Sequence, residues 1–99
     1  AVAEVVGRKL RALGAERQTL CVTHLPQVAA QADHQWSVAK ADEGRRTLSR
    51  VTVLDEAARV EEIARMLGGL EITATTRRHA AELLGARAAR PFAADRQVG

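Results

Sequence analysis

The stretch TLCVTHLPQ, residues 19–27, decides the fold of this chain. Its first five residues form a short, continuous run rich in β-branched side chains, which predicts a strand buried on both faces of a sheet. Pro26 suits the first position of a helix, because the missing N–H of proline would have no partner there in any case. We therefore predict a strand at residues 19–23, a helix from Pro26 to about Ala32, and an α/β sheet.

A helix and a hairpin are predicted on either side of this stretch. Residues 1–14 carry apolar side chains at helical spacing, and Gly14 is the expected helix stop. Residues 34–40 alternate between two faces, and residues 46–54 again hold β-branched side chains. Because the intervening segment 41–45 is polar and turn-forming, the two runs predict a β-hairpin.

Two further helices are predicted after the hairpin. The first begins after Asp55, a suitable N-cap, and ends at the paired glycines Gly68 and Gly69. The second is capped by a threonine and runs to about Arg87. The candidate caps of this second helix are Thr73, Thr75 and Thr76. The predicted inward residues are Val60, Ile63, Ala64 and Leu67 on the first helix, and Ala80, Leu83 and Leu84 on the second.

Three side-chain environments also follow from the pattern. Glu61 and Arg65 stand one helical turn apart, which predicts an ion pair on the solvent side. Trp36 shares a strand face with Val38, so we expect it in the core rather than as a platform for stacking bases. Cys21 lies in the apolar run and is expected to be a small buried thiol, since a single cysteine cannot form an internal disulfide.

Composition limits the core that this chain can build. Hydrophobic residues make up 46% of its 99 residues, but 20 of them are alanine. An alanine methyl contributes far less than the about 1.5–3 kcal/mol gained by burying a large apolar side chain, so the chain would be marginal alone. We therefore expect one domain or part of one, with Ala1 as a cut or processed start, since neither Met nor a signal peptide opens the sequence.

Charge and hydropathy exclude some classes of protein. No apolar run approaches the roughly 18 residues of a membrane-spanning helix, so we expect no membrane contact. The single cysteine and the missing signal peptide favour a reducing cytoplasm. The net charge of +3 is compatible with nucleic acid or phosphate partners and identifies neither. His34, His79 and Cys21 lack the spacing of metal ligands, so no metal site is predicted.

His24 is the candidate functional residue. In open α/β sheets ligands bind beyond the carboxyl ends of the strands, which is where His24 is expected to project. An imidazole has a pKa near neutrality and can donate a hydrogen bond to phosphate or orient a water molecule. The alternative is a histidine that caps the next helix or pairs with a buried carbonyl.

Two longer segments carry a family resemblance: LCVTHLPQVAAQADHQWSVAK at residues 20–40 and LDEAARVEEIARMLGG at residues 54–69. They resemble the C-terminal end of the RecN family of bacterial recombinational DNA repair proteins, which are SMC-like ABC ATPases. The resemblance covers residues 1 to about 85, which we expect to form one unit. Residues 86–99 match less well and are expected to be a flexible tail.

The resemblance implies a fold and a mechanism. The chain would be the C-terminal part of a P-loop NTPase head of the ABC/SMC-like type, and its opening helix would follow the Walker B strand and D-loop. His24 would be the switch histidine, which contacts the γ-phosphate of ATP and the attacking water. ATP with Mg²⁺ would lie between two heads that dimerise, and the N-terminal half of the same head would complete the sheet. The complete protein would act on DNA double-strand breaks in the cytoplasm, in association with the nucleoid.

Several motifs of such ATPases are absent from these 99 residues. There is no G-x-x-x-x-G-K-[ST] loop and no Leu-Ser-Gly-Gly signature. The run that ends in Leu54, Asp55 and Glu56 imitates a Walker B strand, but the resemblance places it after the switch histidine, and Asp55 fits a helix cap. We therefore expect this chain alone neither to bind ATP tightly nor to hydrolyse it, although the parent protein would be an ATPase.

Two alternatives stay open at this point. The chain could be a stand-alone basic α/β module that binds DNA without a nucleotide, or an ABC head of another SMC-like or transport protein. The first alternative rests on arginines that could meet DNA phosphates, although solvated helix and hairpin faces are the commoner explanation of such residues. These are Arg77, Arg78, Arg87, Arg90 and Arg96 near the C-terminus, and Arg45, Arg46 and Arg50 on the hairpin.

Overall fold

The computed structural model describes residues 2–89, which contain four helices and one β-hairpin. The elements are α1 (Val2–Glu16), α2 (Pro26–Ala29), β1 (Trp36–Glu43), β2 (Arg46–Val53), α3 (Glu56–Gly68) and α4 (Ala74–Ala89). Helix α1 continues through Gly14, so this glycine is not the predicted stop. Helix α4 includes residues 86–89, the beginning of the segment expected to be flexible; residues 90–99 lie outside the described part.

The predicted strand at residues 19–23 is not formed. Residues 17–25 contain no strand, and Leu20 and Val22 are 80% and 96% exposed. Cys21 is also exposed, so the prediction of a buried thiol is wrong. A strand buried on both faces needs partner strands at its edges and covering layers above and below. Within residues 2–89 the only sheet is the hairpin, which does not pair with this segment.

The predicted β-hairpin is confirmed. Its antiparallel register pairs Trp36 with Val53 and Glu43 with Arg46. The two-residue turn has a positive φ of 60° at Gly44 and a negative φ at Arg45, the combination of a type II′ turn, which favours glycine at its first central position.

The apolar face of the hairpin is open to solvent. Trp36 is 56% exposed, and its cross-strand partner Val53 is also exposed. The neighbouring pair Val38 and Val51 continues the same exposed face. No described helix covers these side chains, so the prediction that Trp36 belongs to the core is wrong.

A small core lies between α3 and α4. Ile63 and Ala64 on α3 and Ala80 on α4 are fully buried, and Leu84 is nearly so. Ala30, just after α2, closes the cluster from the side. The predicted inward residues Val60, Leu67 and Leu83 pack around this cluster and are partly buried. The inward faces predicted for the last two helices are therefore confirmed.

Caps fix both ends of α3 and the start of α4. Asp55 accepts a 2.8 Å hydrogen bond from the N–H of Ala58, as an N-cap does. Gly69 ends α3 with a φ of 73°, in the left-handed region that favours glycine. The Thr73 hydroxyl accepts a 3.1 Å bond from the N–H of Thr76 and so caps α4.

The predicted pair of Glu61 and Arg65 is wrong. Arg65 instead donates to Glu62, three residues before it, with 3.1 Å between Nε and Oε2. Glu61 pairs across the helix interface with Arg77 on α4. Arg65 and Arg77 each bind a carboxylate, but Arg65 does not bind the residue four positions before it, which helical spacing favours.

Two absences among the described residues bear on the class of site. None of the helices between residues 2 and 89 is long and apolar enough to cross a membrane. Within the same range, no group of three or more His, Cys, Asp or Glu side chains comes together in a way that could hold a metal ion.

Candidate functional site

His24 lies at the entry to α2 with its side chain exposed. One local hydrogen bond spans it, and the start of α2 follows it. The N–H of Leu25 donates a 3.0 Å bond to the hydroxyl of Thr23, and Leu25 has extended dihedral angles at the N-cap position. Pro26 occupies the first turn of α2, as predicted, and is buried. His24 is therefore presented to solvent from a locally constrained turn.

Helix α2 is too short to be stable by itself. It contains four residues, whereas isolated helices shorter than about 12–15 residues are marginal in water. The Leu25 carbonyl accepts from the N–H of Ala29 at 3.0 Å, and the Pro26 carbonyl accepts from Ala30 at 2.9 Å. Val28 and Ala30 are buried against the remaining helices. Tertiary contacts must therefore hold this segment, and they include hydrogen bonds from arginines.

Arg59 on α3 is the most buried charged residue in the described part, with 1% of its surface exposed. Its guanidinium donates to the carbonyls of Ala29 and Ala32 from Nη2, at 3.2 and 2.9 Å. Its Nε donates to the side-chain oxygen of Gln35 at 3.1 Å. One side chain thus joins α3 to the end of α2 and to the residue before the hairpin.

Two more arginines reach the same turn from other helices. Arg11 on α1 donates from Nη1 to the carbonyl of Gln31 at 2.8 Å and to the carboxylate of Asp33 at 3.0 Å. Arg87 on α4 donates to the carbonyl of Ala32 at 3.3 Å and lies 3.5 Å from Asp33. We call these three side chains the arginine cluster: Arg11, Arg59 and Arg87.

The electrostatics of the arginine cluster match its acceptors. The last carbonyls of a helix carry partial negative charge, so cations beside them are stabilising. Burial lowers the pKa of Arg59, and the charge of Arg87 lowers it further, whereas Glu56 and Asp33 raise it. Since arginine keeps its proton in proteins, the guanidinium stays charged and needs its acceptors. Removing them would leave a buried charge unpaired, which is strongly destabilising.

The surroundings of Arg87 do not fit the DNA contact considered for it from the sequence. As part of a basic stripe it would face DNA phosphates, but only 16% of its side chain is exposed and it contacts a backbone carbonyl. Arg77 is also engaged, with Glu61. Arg90 and Arg96 lie outside the described residues.

The arginine cluster was not predicted from the sequence, although the position of Arg59 indicated a buried, paired charge. Arg59 precedes Ile63 by four residues and therefore stands on the buried face of α3. A charged residue on an apolar face costs free energy unless it is paired, so it implies a partner. The identity of that partner, a set of backbone carbonyls some 30 residues earlier, is a tertiary fact that periodicity does not give.

Comparison with known proteins gives one consistent result. No family model matches the chain. The chain is 51% identical over 84 residues to the DNA repair protein RecN of Xylella fastidiosa, covering 85% of this chain. It is 50% identical over 82 residues to RecN of Vibrio cholerae and 46% identical over 83 residues to RecN of Bacillus subtilis.

The chain spans only about 15% of the length of the curated relatives it matches. The similarity nevertheless covers more than four fifths of the chain itself in each case. This agrees with the resemblance carried by residues 20–40 and 54–69. The chain therefore belongs to the RecN family of DNA repair proteins.

Proposed function

We propose that this chain is the C-terminal portion of the P-loop ATPase head of a RecN-like protein that repairs DNA double-strand breaks by recombination. In this proposal His24 is the switch histidine that senses the γ-phosphate of ATP. The observation that carries it is the exposed His24 side chain, presented by the constrained turn between Thr23 and α2. The names of the relatives, all DNA repair proteins, support the role in repair.

The described residues fit one part of an ATP site. An exposed imidazole can donate a hydrogen bond to a phosphate oxygen, and His24 offers such a donor. In this proposal the ligands of Mg²⁺ belong to other segments of the head. The chain thus contributes a phosphate sensor and leaves the rest of the site to other segments.

ATP, when bound between two heads, supplies a terminal phosphoryl group for transfer to water. His24 donates to an oxygen of that group and orients the attacking water, which stabilises the charge that develops in the transition state. It is a stabilising donor, and the principal base is a carboxylate outside this chain. Since its contact depends on the terminal phosphate, His24 also reports whether ATP or ADP is bound.

Exposed apolar surface supports a partner in the same head. Several apolar surfaces lie open to solvent: residues 19–22, the Trp36 face of the hairpin, and Val2, Val5 and Leu13 on α1. A strand-forming run of this kind is stable when neighbouring strands pair with it on both sides. The N-terminal half of the head would supply these strands, and a second head and DNA would complete the assembly.

The proposal is tested by His24→Ala in the complete protein that carries this segment. Removing one preorganised donor typically lowers turnover about 100-fold, and we expect a loss of that order with nucleotide binding largely retained. His79→Ala is the matched control, because His79 is an exposed histidine on α4. Unchanged turnover of the His24 variant at saturating ATP would overturn the proposal.

A further inference from the structure

A short hydrogen-bonded path runs from Arg59 to the residue beside His24. The guanidinium of Arg59 donates to the carbonyl of Ala29 at 3.2 Å. The N–H of Ala29 donates to the carbonyl of Leu25 at 3.0 Å, and Leu25 is the chain neighbour of His24. Two hydrogen bonds therefore separate a fully buried guanidinium from Leu25, the residue that follows the candidate sensor.

Other members of the arginine cluster hold the same segment from its far end. Arg11 donates to Gln31 and Arg87 donates to Ala32, each through a backbone carbonyl. Because the three arginines come from α1, α3 and α4, the turn after α2 is fixed relative to all three longer helices. A four-residue helix held in this way has little freedom to rotate or to unwind.

The chemistry of this contact requires arginine. A guanidinium is planar and presents several donors in a fixed fork, whereas a lysine ammonium is a compact charge that needs full hydration. Arg59 uses all three of its nitrogens: Nη2 donates to the carbonyls of Ala29 and Ala32, and Nε donates to the side chain of Gln35. Its Nη1 reaches a fourth acceptor, the carbonyl of Asp33, at 3.5 Å. A lysine at this position would satisfy at most part of this set.

We propose that the arginine cluster, with Arg59 at its centre, positions His24 by fixing the carboxyl end of α2. This inference rests on the proposed function of His24, which it deepens. Arg59 touches no reacting atom in this arrangement and acts through the backbone of α2. It is a positioning residue. Its substitution should therefore disturb the segment next to His24 more than the rest of the described structure.

Hydrogen exchange in the complete protein tests whether the cluster holds the segment. In Arg59→Lys we expect amide exchange of residues 25–31 to accelerate about tenfold, with exchange of residues 77–84 in α4 unchanged. Arg65→Lys is the matched control, because Arg65 lies on the same helix and pairs only with Glu62 at the surface. Equal acceleration in α4, or none in residues 25–31, would overturn the proposal.

A second variant covers the case in which Arg59→Lys does not fold. Arg11→Gln removes the bonds to Gln31 and Asp33 from a side chain that is partly exposed. It should also accelerate exchange of residues 25–31, by about threefold, and leave α4 unchanged. If the Arg59 variant is unfolded, an unchanged segment in Arg11→Gln contradicts the proposal.

A double-mutant cycle tests whether the cluster acts through His24. Arg59→Lys should lower turnover at saturating ATP about tenfold with little change in KM, and should cost less than about twofold when His24 is already alanine. An equal loss in both backgrounds indicates general destabilisation and overturns positioning. If His24→Ala alone leaves turnover unchanged, the proposed function fails, and the exchange experiment still decides whether the cluster holds the segment.

Discussion

Arg77 on α4 binds Glu61 on α3 through both oxygens of the carboxylate. Its Nε lies 2.8 Å from Oε2, and its Nη2 lies 3.2 Å from Oε1. The pair joins the two helices at the surface beside the buried cluster of Ile63 and Ala80. Such a fork is a directional form of ion pair, and here it links the two helices at their solvent-exposed edge.

We predict that Arg77→Gln raises the pKa of Glu61. The hydrogen bond from Arg77 holds the pKa of this carboxyl below its ordinary value of 4.5, and the positive charge of Arg77 also lowers it. A depressed folded-state pKa stabilises the protein above the unfolded-state pKa, and this contribution is lost as pH falls through the folded-state value. The wild-type advantage over the variant should therefore be present above about pH 4.5 and fade in more acidic solution.

Carbon-detected NMR titration of the Glu61 carboxyl measures this shift directly. Arg78→Gln is the control, since it removes a neighbouring charge and leaves the fork intact. The same Glu61 titration curve in wild type and Arg77→Gln would contradict the pairing.

We predict that Gly7→Ala destabilises the chain. A Cβ at Gly7 would lie 3.0 Å from the carbonyl oxygen of Gln27 and 3.2 Å from the Cα of Val28, both backbone atoms that cannot rotate away. Helix α1 would have to move off α2, at a cost of about 1–3 kcal/mol in the free energy of unfolding. Urea unfolding of the two proteins measures the difference.

Gly85→Ala is the matched control for this experiment. Gly85 lies inside α4, and no described atom approaches its added Cβ within 4 Å. Alanine is a better helix former than glycine, so this variant should gain about 0.5–1 kcal/mol. If Gly7→Ala also gained stability, α1 and α2 could not be as close as the structure has them.

We predict that Ile63→Ala is among the most damaging single changes. Ile63 is fully buried at the centre of the α3–α4 contact. Truncating a buried isoleucine removes packed methyl groups and leaves a cavity, which costs about 2–5 kcal/mol. Leu70→Ala provides the comparison, because Leu70 is fully exposed and its truncation should change stability by less than about 0.5 kcal/mol. Similar losses in the free energy of unfolding for the two variants would contradict the position of Ile63 in the core.

We predict that Cys21 reacts quickly with an alkylating reagent in the 99-residue chain and slowly in the complete protein. Its side chain is exposed within residues 2–89. In the proposed head, neighbouring strands cover residues 19–23 and exclude the reagent. Mass spectrometry after timed alkylation measures both rates, and a denatured sample of each protein gives the upper limit. Equal rates in the two native proteins would contradict burial of this segment in the head.

Local patterns predicted the elements whose determinants are close in sequence. Asp55 caps α3, Gly69 ends it, and Thr73 caps α4, each through contacts within a few residues. The hairpin is also local, because its strands are joined by two residues and pair with each other. These features depend on backbone geometry and hydrogen bonds that the neighbouring residues supply.

Features that depend on distant partners were predicted less well. The apolar run at residues 19–23 has the composition of a buried strand, but no strand within residues 2–89 pairs with it. Trp36 has the size of a core residue, yet its face of the hairpin is uncovered. In each case the apolar composition predicts burial, but burial requires a second segment that packs against these side chains. The local sequence does not show whether that segment is present.

The candidate site divides in the same way. His24 could be proposed from its place between a β-branched run and a proline, and its role stays a prediction. The arginine cluster could not, because its three members are spaced 48 and 28 residues apart in sequence and converge on carbonyls that every residue possesses. Because every residue has a backbone carbonyl, the residue types do not show which carbonyls accept a hydrogen bond from a distant arginine.

The two-stranded sheet has a consequence for solubility. Each strand of the hairpin has eight residues and, within residues 2–89, one edge without a partner strand. Unpaired edges are templates for association with other chains, and charged side chains are the usual protection. Lys40, Asp42, Glu43 and Arg46 supply such charges in the half of the hairpin next to the turn, whereas the Trp36 half carries only Arg50, and its outermost three residue pairs carry no charge. Aggregation of the chain at high concentration should therefore begin at the Trp36 end, and a lysine in place of Val53 should suppress it.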